Sequence, residues 1–365
     1  MEKCSLEYFY AKLHNKRILF PLDGQIELTY RCNLNCIHCA EKGLEDKKRE
    51  LNTHLWKRIL DEIRQEGCFW LVFTGGEPLL REDFLELYAY AKKIGFIITI
   101  FTNGQLFNKE ILDYLVKAPP HSIEITLNGI TKDTYEKITQ VEGSFFKAIE
   151  NIKLIAKNKL PLLIKANLMK ENKNEIWKIK KWTEIILGEP LNKRYFKFKY
   201  DPIILPRLNG DKAPCKHRLS FPEVLEVIKQ DPDMWEEYQR ELHKDFPDFT
   251  RDGEYLYHCN SWMKQFYISP YGRLKFCSFY EKFSADLKKT SFKESFYQGF
   301  PRLLKERFQT DSKCRTCQLR PLCYFCPARA YLETGNKEAP VEYYCEFAKG
   351  WAENTHLALD GNSSL

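Results

Sequence analysis

The sequence lacks any long run of apolar residues. Although 44% of its 365 residues are hydrophobic, no stretch approaches the roughly 20 apolar residues that a membrane helix needs. The N-terminal segment MEKCSLEYFYAKLHNKR mixes charges of both signs without a continuous apolar core, so it does not have the form of a secretory signal. Internal repeats and low-complexity tracts are also missing. We therefore expect a globular protein that stays in the cytoplasm and has no membrane anchor.

The net charge of +7 is not concentrated in one block. The Lys-rich stretch KNKLPLLIKANLMKENKNEIWKIKK alternates charged and apolar positions, a pattern typical of solvated helix faces. On charge alone, such faces could attract an anionic peptide or RNA. We expect no nucleic-acid ligand, because the charge is mild for this length and is interrupted throughout.

Cysteine is abundant, with 13 in the chain. A reducing cytoplasm does not maintain a disulfide framework, and an odd number of thiols cannot pair completely. Metal ligation is therefore the leading explanation for most of them. Cys4, Cys68 and Cys215 lie outside any cluster spacing, and we expect these three to be ordinary buried or neutral thiols.

Cys32, Cys36 and Cys39 form a C-x3-C-x2-C row directly after the run 25–31. Three thiolates can hold three irons of a cubane cluster and leave one iron open to another ligand. A zinc site or three unrelated thiols are the alternatives, although zinc modules usually pair two C-x2-C halves. The row resembles the radical S-adenosylmethionine (radical SAM) signature. That resemblance implies a 4Fe-4S cluster whose open iron is chelated by the methionine end of S-adenosyl-L-methionine.

Strand and helix patterns alternate through the first half of the chain. Six strand-like runs, each but the last followed by an amphipathic helix pattern, are found at 25–31, 69–73, 97–104, 122–128, 161–169 and 195–200. Such alternation specifies a parallel sheet with helices outside. We predict an α/β fold, a partial (β/α)6 TIM-like barrel of the radical SAM type, with the cysteine row in a loop at the C-terminal end of the first strand.

The tetrapeptide GGEP follows the second predicted strand. Gly75 and Gly76 permit close backbone approach, and the carboxylate of Glu77 could receive an ammonium group, here the amino group of the methionine moiety. The motif resembles the glycine motif of radical SAM enzymes. Further cofactor contacts, to adenine and to the ribose or substrate, are expected from His38, Asn103 and Thr126.

Seven more cysteines are spaced along the last third of the chain. Their arrangement resembles the SPASM module, which follows the barrel in peptide-modifying radical SAM enzymes and holds two auxiliary 4Fe-4S clusters. The resemblance assigns one cluster to Cys259, Cys277 and Cys326, and the other to Cys314, Cys317, Cys323 and Cys345. A zinc module is the alternative, because C-x2-C pairs also suit zinc.

These observations divide the chain into five parts. We predict an N-terminal extension at 1–24, the radical SAM barrel at 25–200 and a linker with bridging helices at 201–258. A small cysteine-rich SPASM domain at 259–349 and a tail at 350–365 follow. The first part is too short for the leader-binding extension of many peptide maturases. A leader peptide would therefore be read by a separate small protein or by the barrel surface and the segment 201–249.

The resemblance implies an enzyme that cleaves S-adenosylmethionine reductively and uses the resulting 5'-deoxyadenosyl radical to remove hydrogen from a precursor peptide. Oxidative cross-linking is the expected modification, with a flavodoxin or ferredoxin as electron donor and an auxiliary cluster as a possible acceptor. No catalytic acid or base is assigned. A sulfatase-maturing enzyme is less favoured, because Ser278 stands where that group has an Asp. An enzyme acting on tetrapyrroles or small molecules and a non-catalytic zinc or electron-transfer protein remain as alternatives.

Overall fold

The computed structural model describes residues 19–188, 197–242, 254–257, 264–280 and 284–355. Nine strands form one sheet in the order β6-β5-β4-β3-β2-β1-β7-β8-β9. The strands are β1 (Asp23–Thr29), β2 (Trp70–Gly75), β3 (Ile97–Thr102), β4 (Ser122–Thr126), β5 (Leu162–Asn167), β6 (Phe198–Asp201), β7 (Gln265–Ile268), β8 (Arg273–Lys275) and β9 (Ser284–Asp286). Strands β1 to β6 are neighbours in chain order, and each pair is parallel. The predicted six-stranded parallel arrangement is confirmed.

Helices connect the parallel strands and continue through the C-terminal part. They are α1 (Thr53–Gln65), α2 (Phe84–Lys93), α3 (Lys109–Lys117), α4 (Lys132–Thr139), α5 (Ser144–Lys157), α6 (Ile176–Leu187), α7 (Phe221–Lys229), α8 (Pro232–Leu242), α9 (Phe292–Leu304), α10 (Pro327–Thr334) and α11 (Glu342–Thr355). None of these described helices has the length and apolar character that crossing a membrane needs.

Helix α1 illustrates how local sequence sets the start and the buried face of a helix. The side-chain oxygen of Asn52 accepts a hydrogen bond from the backbone N–H of Leu55 at 2.9 Å, which satisfies one of the free donors of the first turn. Trp56, Ile59 and Leu60 then bury one face against the sheet. An N-cap and a 3.6-residue apolar period therefore agree on where this helix begins and which face it buries.

Residues alternate between the two faces of the parallel strands. Those that point outward, such as Ile98, Ile100 and Ile125, are fully buried against the helices. Many of those that point inward, such as Thr99 and Phe101, are polar or aromatic and line cavities. Because a strand has a period of two, each strand supplies both the core and the interior of the barrel.

The C-terminal strands extend the barrel sheet. Strand β7 pairs with β1 in parallel, Asp23 opposite Gln265, and β8 and β9 continue from it in antiparallel pairs. Strands β7 and β8 form a hairpin that turns at 270–272, and the pairing of this hairpin with the first strand was not foreseen. The cysteine-rich part begins as an extension of the same sheet.

A buried ionic cluster lies at this junction. The Lys275 ammonium is 3.0 Å from the Glu27 carboxylate, and the Tyr30 hydroxyl donates to the same carboxylate at 2.9 Å. The Lys275 and Glu27 side chains are 0% and 1% exposed. This cluster joins β1 to the strand that directly precedes Cys277.

Candidate functional site

A cavity of about 330 Å3, here called the upper cavity, opens at the C-terminal ends of the parallel strands. Eight of the residues predicted as cluster ligands or cofactor contacts line it: Cys32, Cys36, His38, Cys39, Gly75, Gly76, Asn103 and Thr126. They come from the ends of β1 to β4, which meet at one edge of the sheet. The parallel topology thus brings together residues separated by almost one hundred positions.

The loop that carries Cys32, Cys36 and Cys39 is hydrogen-bonded to the end of α4. The N–H groups of Asn35 and Ile37 donate to the carbonyl oxygens of Thr139 and Ile138, at 2.9 and 3.0 Å. The N–H of Cys39 donates to the carbonyl of Cys36 at 3.2 Å, closing a tight turn. Backbone bonds rather than side chains therefore hold this loop over the upper cavity.

The chemistry of the three thiols suits an iron-sulfur cluster. The N–H of Leu34 and the side-chain amide of Asn103 donate to the Cys32 sulfur, at 3.4 and 3.6 Å. Burial raises the pKa of Cys39 to about 12 and that of Cys36 further, so thiolates here need a bound cation. Among the described residues, no group of three His, Cys, Asp or Glu is arranged to hold a single metal ion.

The glycine loop fits against the end of β1. The N–H of Gly76 donates to the Thr29 carbonyl at 2.7 Å. A Cβ at Gly75, which has φ +132°, would lie 2.1 Å from that oxygen, and a Cβ at Gly76 would lie 2.4 Å from the Arg31 carbonyl. Glycine is therefore required by the neighbouring backbone, and the same absence of side chains leaves the cavity wall open.

Glu77 does not line the upper cavity. Its carboxylate is fully buried and accepts hydrogen bonds from the Thr102 hydroxyl at 2.8 Å, the Asn103 N–H at 2.7 Å and the Leu79 N–H at 3.0 Å. Burial raises its pKa to about 7 despite these donors. Glu77 thus ties the glycine loop to the end of β3, and its predicted contact with a methionine amino group stays a prediction.

His38 is buried beside the same cavity. Its Nε2 lies 3.3 Å from the side-chain amide of Asn128, and burial lowers its pKa to about 4. The ring is therefore neutral at physiological pH. A neutral imidazole can pack against a flat aromatic group or form one hydrogen bond to it, which agrees with the predicted place of His38 near adenine.

The C-terminal cysteines form two neighbourhoods. Burial and the charges of Cys345, Cys317 and Cys314 together raise the pKa of Cys323 to about 12, so these four thiols lie close together. Cys277 and Cys326 both act electrostatically on the buried guanidinium of Arg329. Cys259 lies outside the described residues. The grouping agrees with the predicted assignment, which stays a prediction.

Residues 26–183 match the family model described as the Radical SAM superfamily. The chain contains a radical SAM domain. Two relatives are an AdoMet-dependent heme synthase of Methanosarcina barkeri, 25% identical over 89% of this chain and 96% of that protein, and a PqqA peptide cyclase of Granulibacter bethesdensis, 32% identical over 42% and 41%. The match to the cyclase thus spans less than half of either protein.

A solved structure supports the fold beyond the radical SAM domain. The structure of native anSMEcpe with bound AdoMet and Kp18Cys peptide superposes with a TM-score of 0.69 at 19% identity, covering 92% of this chain and 97% of that one. At this identity the likeness shows the fold alone. The cysteine-rich region, which lies outside the matched residues of the radical SAM domain, falls within this superposition for most of its length.

Sequence reasoning did not single out the charged residues at the ends of β5 and β6. Lys165 and Asp201 line the upper cavity from the ends of β5 and β6. Asn167 pairs with Asp201 across β5 and β6, and Lys165 lies two residues before Asn167. Because side chains alternate along a strand, Lys165 and Asp201 are both on the inward face. The period-two pattern PLLIKANLM contained this signal, but a polar strand face can equally face solvent.

Proposed function

We propose that this chain is a radical SAM peptide maturase: it cleaves S-adenosylmethionine reductively and abstracts hydrogen from a ribosomally made peptide, leading to oxidative cross-linking or a related modification. One observation carries the proposal. The cysteine row, the glycine loop, His38, Asn103 and Thr126 line a single cavity at the C-terminal ends of the parallel strands. In barrels of this kind, the loops at that end build the active site.

Cys32, Cys36 and Cys39 would hold a 4Fe-4S cluster, and this cluster would supply the electron for reductive cleavage of S-adenosylmethionine. The chain holds these thiols by backbone bonds to α4 and directs the Asn103 amide at the Cys32 sulfur. Fixed donors of this kind need no reorganisation during the reaction. The open glycine wall leaves room for the cofactor, and His38 and Thr126 offer contacts to its nucleoside.

A peptide substrate is supported by the cyclase relative and by the peptide named with the superposed anSMEcpe structure. Cross-linking removes electrons from the substrate, so an acceptor is needed. The two C-terminal groups of cysteines are suited to hold two auxiliary clusters that could take this electron. A flavodoxin or ferredoxin would supply the first electron, and a separate small protein could present a leader peptide.

A tetrapyrrole substrate is the second candidate. The specific observation in its favour is that the match to the heme synthase extends over 96% of that protein, whereas the match to the peptide cyclase stops at 41%. The two candidates share the cofactor and the first radical step. They differ only in the molecule that meets the radical.

The proposal is tested by anaerobic purification followed by iron and sulfide analysis and reduction with dithionite. We expect wild-type protein to form 5'-deoxyadenosine from S-adenosylmethionine and the triple variant Cys32→Ala, Cys36→Ala, Cys39→Ala to form none. Cys215→Ala removes a thiol outside the cysteine row and outside the two C-terminal cysteine groups, and it should behave as wild type. Wild-type protein that contains only zinc, or that never yields 5'-deoxyadenosine, would contradict the proposal. Loss of two hydrogens from a peptide would identify a peptide substrate, whereas alteration of an iron porphyrin would identify a tetrapyrrole substrate.

A further inference from the structure

A second cavity, of about 800 Å3, lies inside the radical SAM domain at the N-terminal ends of the strands. We call it the lower cavity. Its wall is formed by residues from β2 to β6 and the segments leading into them, including Trp70, Thr99 and His121. Phe101 lines both cavities, so the two are neighbours along the barrel interior.

The lower cavity carries an excess of positive charge. Lys159, Lys197 and Lys199 line it, and Glu124 is the one carboxylate among its described lining residues. Several ammonium groups around a concave surface raise the local concentration of anions. Apolar residues such as Leu163 and Ile186 form much of the remaining wall, and an apolar wall with a few placed charges is typical of a ligand site.

Lys165 stands between the two cavities. It lines the upper cavity, while its ammonium lies 3.7 Å from the Glu124 carboxylate of the lower one and 3.1 Å from the centre of the Phe101 ring. On the neighbouring strand, Lys199 is directly opposite Lys165 in the β5–β6 register. The two lysines therefore lie on the same inward face of neighbouring strands, and Glu124 is the carboxylate partner of the Lys165 ammonium.

The electrostatics of this site are unbalanced. Burial lowers the pKa of Lys165, Glu124 opposes this shift and the charge of Lys199 adds to it, so that the pKa is about 8. A partly buried cation is stabilised when a second anion approaches, because Glu124 alone cannot neutralise two lysines. A ligand of this cavity would therefore be expected to carry a negative charge.

We propose that the lower cavity binds a carboxylate group of the substrate, which Lys165 and Lys199 hold while another part of the same molecule reaches the upper cavity. The identification of this ligand as the substrate rests on the proposed function. The carboxylate could belong to an acidic side chain of a peptide or to a propionate of a tetrapyrrole. Both sources present the same planar anion to the two ammonium groups.

Direct binding measurements test the site. Wild-type protein, reconstituted anaerobically, is titrated by calorimetry with coproporphyrin III and with a peptide of alternating Glu and Gly. The neutral counterparts are the porphyrin tetra-amide and the same peptide with Gln in place of Glu. We expect one carboxylate probe to bind and its neutral counterpart to bind at least about tenfold more weakly, since hydrogen bonds to charged groups are lost. The probe that binds identifies the source of the carboxylate.

Variants locate the binding. Lys165→Met and Lys199→Met should each weaken the binding of the carboxylate probe by about tenfold, whereas Lys165→Arg should retain it. Lys153→Met, on the exposed face of α5, is the matched control and should not change it. Because Lys199 is exposed, its variant should fold even if Lys165→Met does not. Failure of both carboxylate probes to bind, or unchanged affinity in both variants, overturns the proposal.

A gain of affinity provides a second test. Glu124 competes with an incoming carboxylate for Lys165, so Glu124→Gln should bind the carboxylate probe severalfold more tightly and leave the neutral probe unaffected. Weaker binding in Glu124→Gln would contradict the arrangement. The proposed function is tested apart from this site, because wild-type protein is assayed for 5'-deoxyadenosine without any probe. Carboxylate binding without cofactor cleavage would remove the proposed function and leave the anion site in place.

Discussion

Replacing Glu77 by alanine is expected to lower the free energy of unfolding by roughly 3 to 5 kcal/mol and to abolish binding of S-adenosylmethionine. The Thr102 hydroxyl and the N–H groups of Leu79 and Asn103 would lose their acceptor inside the protein. Each unsatisfied buried donor costs about 1 to 3 kcal/mol. The glycine loop would also lose its tie to β3, which places it at the wall of the upper cavity.

The effect of this variant should depend on pH in a defined direction. The pKa of Glu77 is raised from its ordinary value to about 7 in the folded protein, so the folded state binds more protons than the unfolded state between these values. The contribution of Glu77 to stability is therefore largest at low pH and declines as the pH rises towards 7. The stability difference between wild type and Glu77→Ala should shrink over the same interval.

Urea unfolding at several pH values, together with equilibrium dialysis of S-adenosylmethionine, measures both effects. Glu82→Ala is the control, since Glu82 is exposed at the start of the same segment. The stability of Glu77→Gln should lie between those of wild type and Glu77→Ala, because the amide keeps one acceptor oxygen but turns a donor towards backbone N–H groups. Equal stability of Glu77→Ala and wild type would show that these hydrogen bonds do not hold the loop.

Replacing Lys275 by methionine is expected to destabilise the protein by about 3 to 5 kcal/mol, because it leaves the Glu27 carboxylate charged and buried without its cation. Lys275 directly precedes the segment that carries Cys277, and Glu27 lies in β1. The variant should therefore also disturb the C-terminal cysteine groups and lower the iron content of reconstituted protein.

Removing both charges should be less harmful than removing one. The double variant Glu27→Gln, Lys275→Met is expected to regain a large part of the lost stability, since no uncompensated charge remains in the interior. Lys289→Met removes an exposed lysine nearby and serves as the control. If the double variant were as unstable as the sum of the single ones, the pair would not be coupled and the cluster would have another role.

The sequence predicted the repeating parts of this fold well and the unique contacts poorly. Helix α1 can be placed from the sequence because an N-cap and an apolar stripe act over short distances. The direction of the Glu77 side chain was not predictable, because its acceptor role depends on β3, which follows later in the chain. The pairing of β7 with β1 has no local signal either, since a strand of four residues does not specify its partner.

The inward lysines show a different limit. Lys165 and Lys199 follow the alternation of their strands, but the same pattern describes a sheet with one face in water. Only the curvature that brings Glu124, Phe101 and Lys165 together turns polar alternation into an internal site. Local pattern identifies which side chains share a face, and tertiary structure decides what that face encloses.

The pairing of β1 with β7 has a consequence for the nascent chain. Strand β1 leaves the ribosome before the other strands of this sheet, whereas the strand that covers its outer edge is synthesised only after the whole barrel sequence. Until then, one edge of β1 has open backbone donors and acceptors, which are a template for pairing with other chains. The same strand leads into the loop of Cys32, Cys36 and Cys39. Protection of that edge during translation, by a chaperone or by rapid completion of the chain, should therefore determine how much protein reaches the stage at which iron can be inserted.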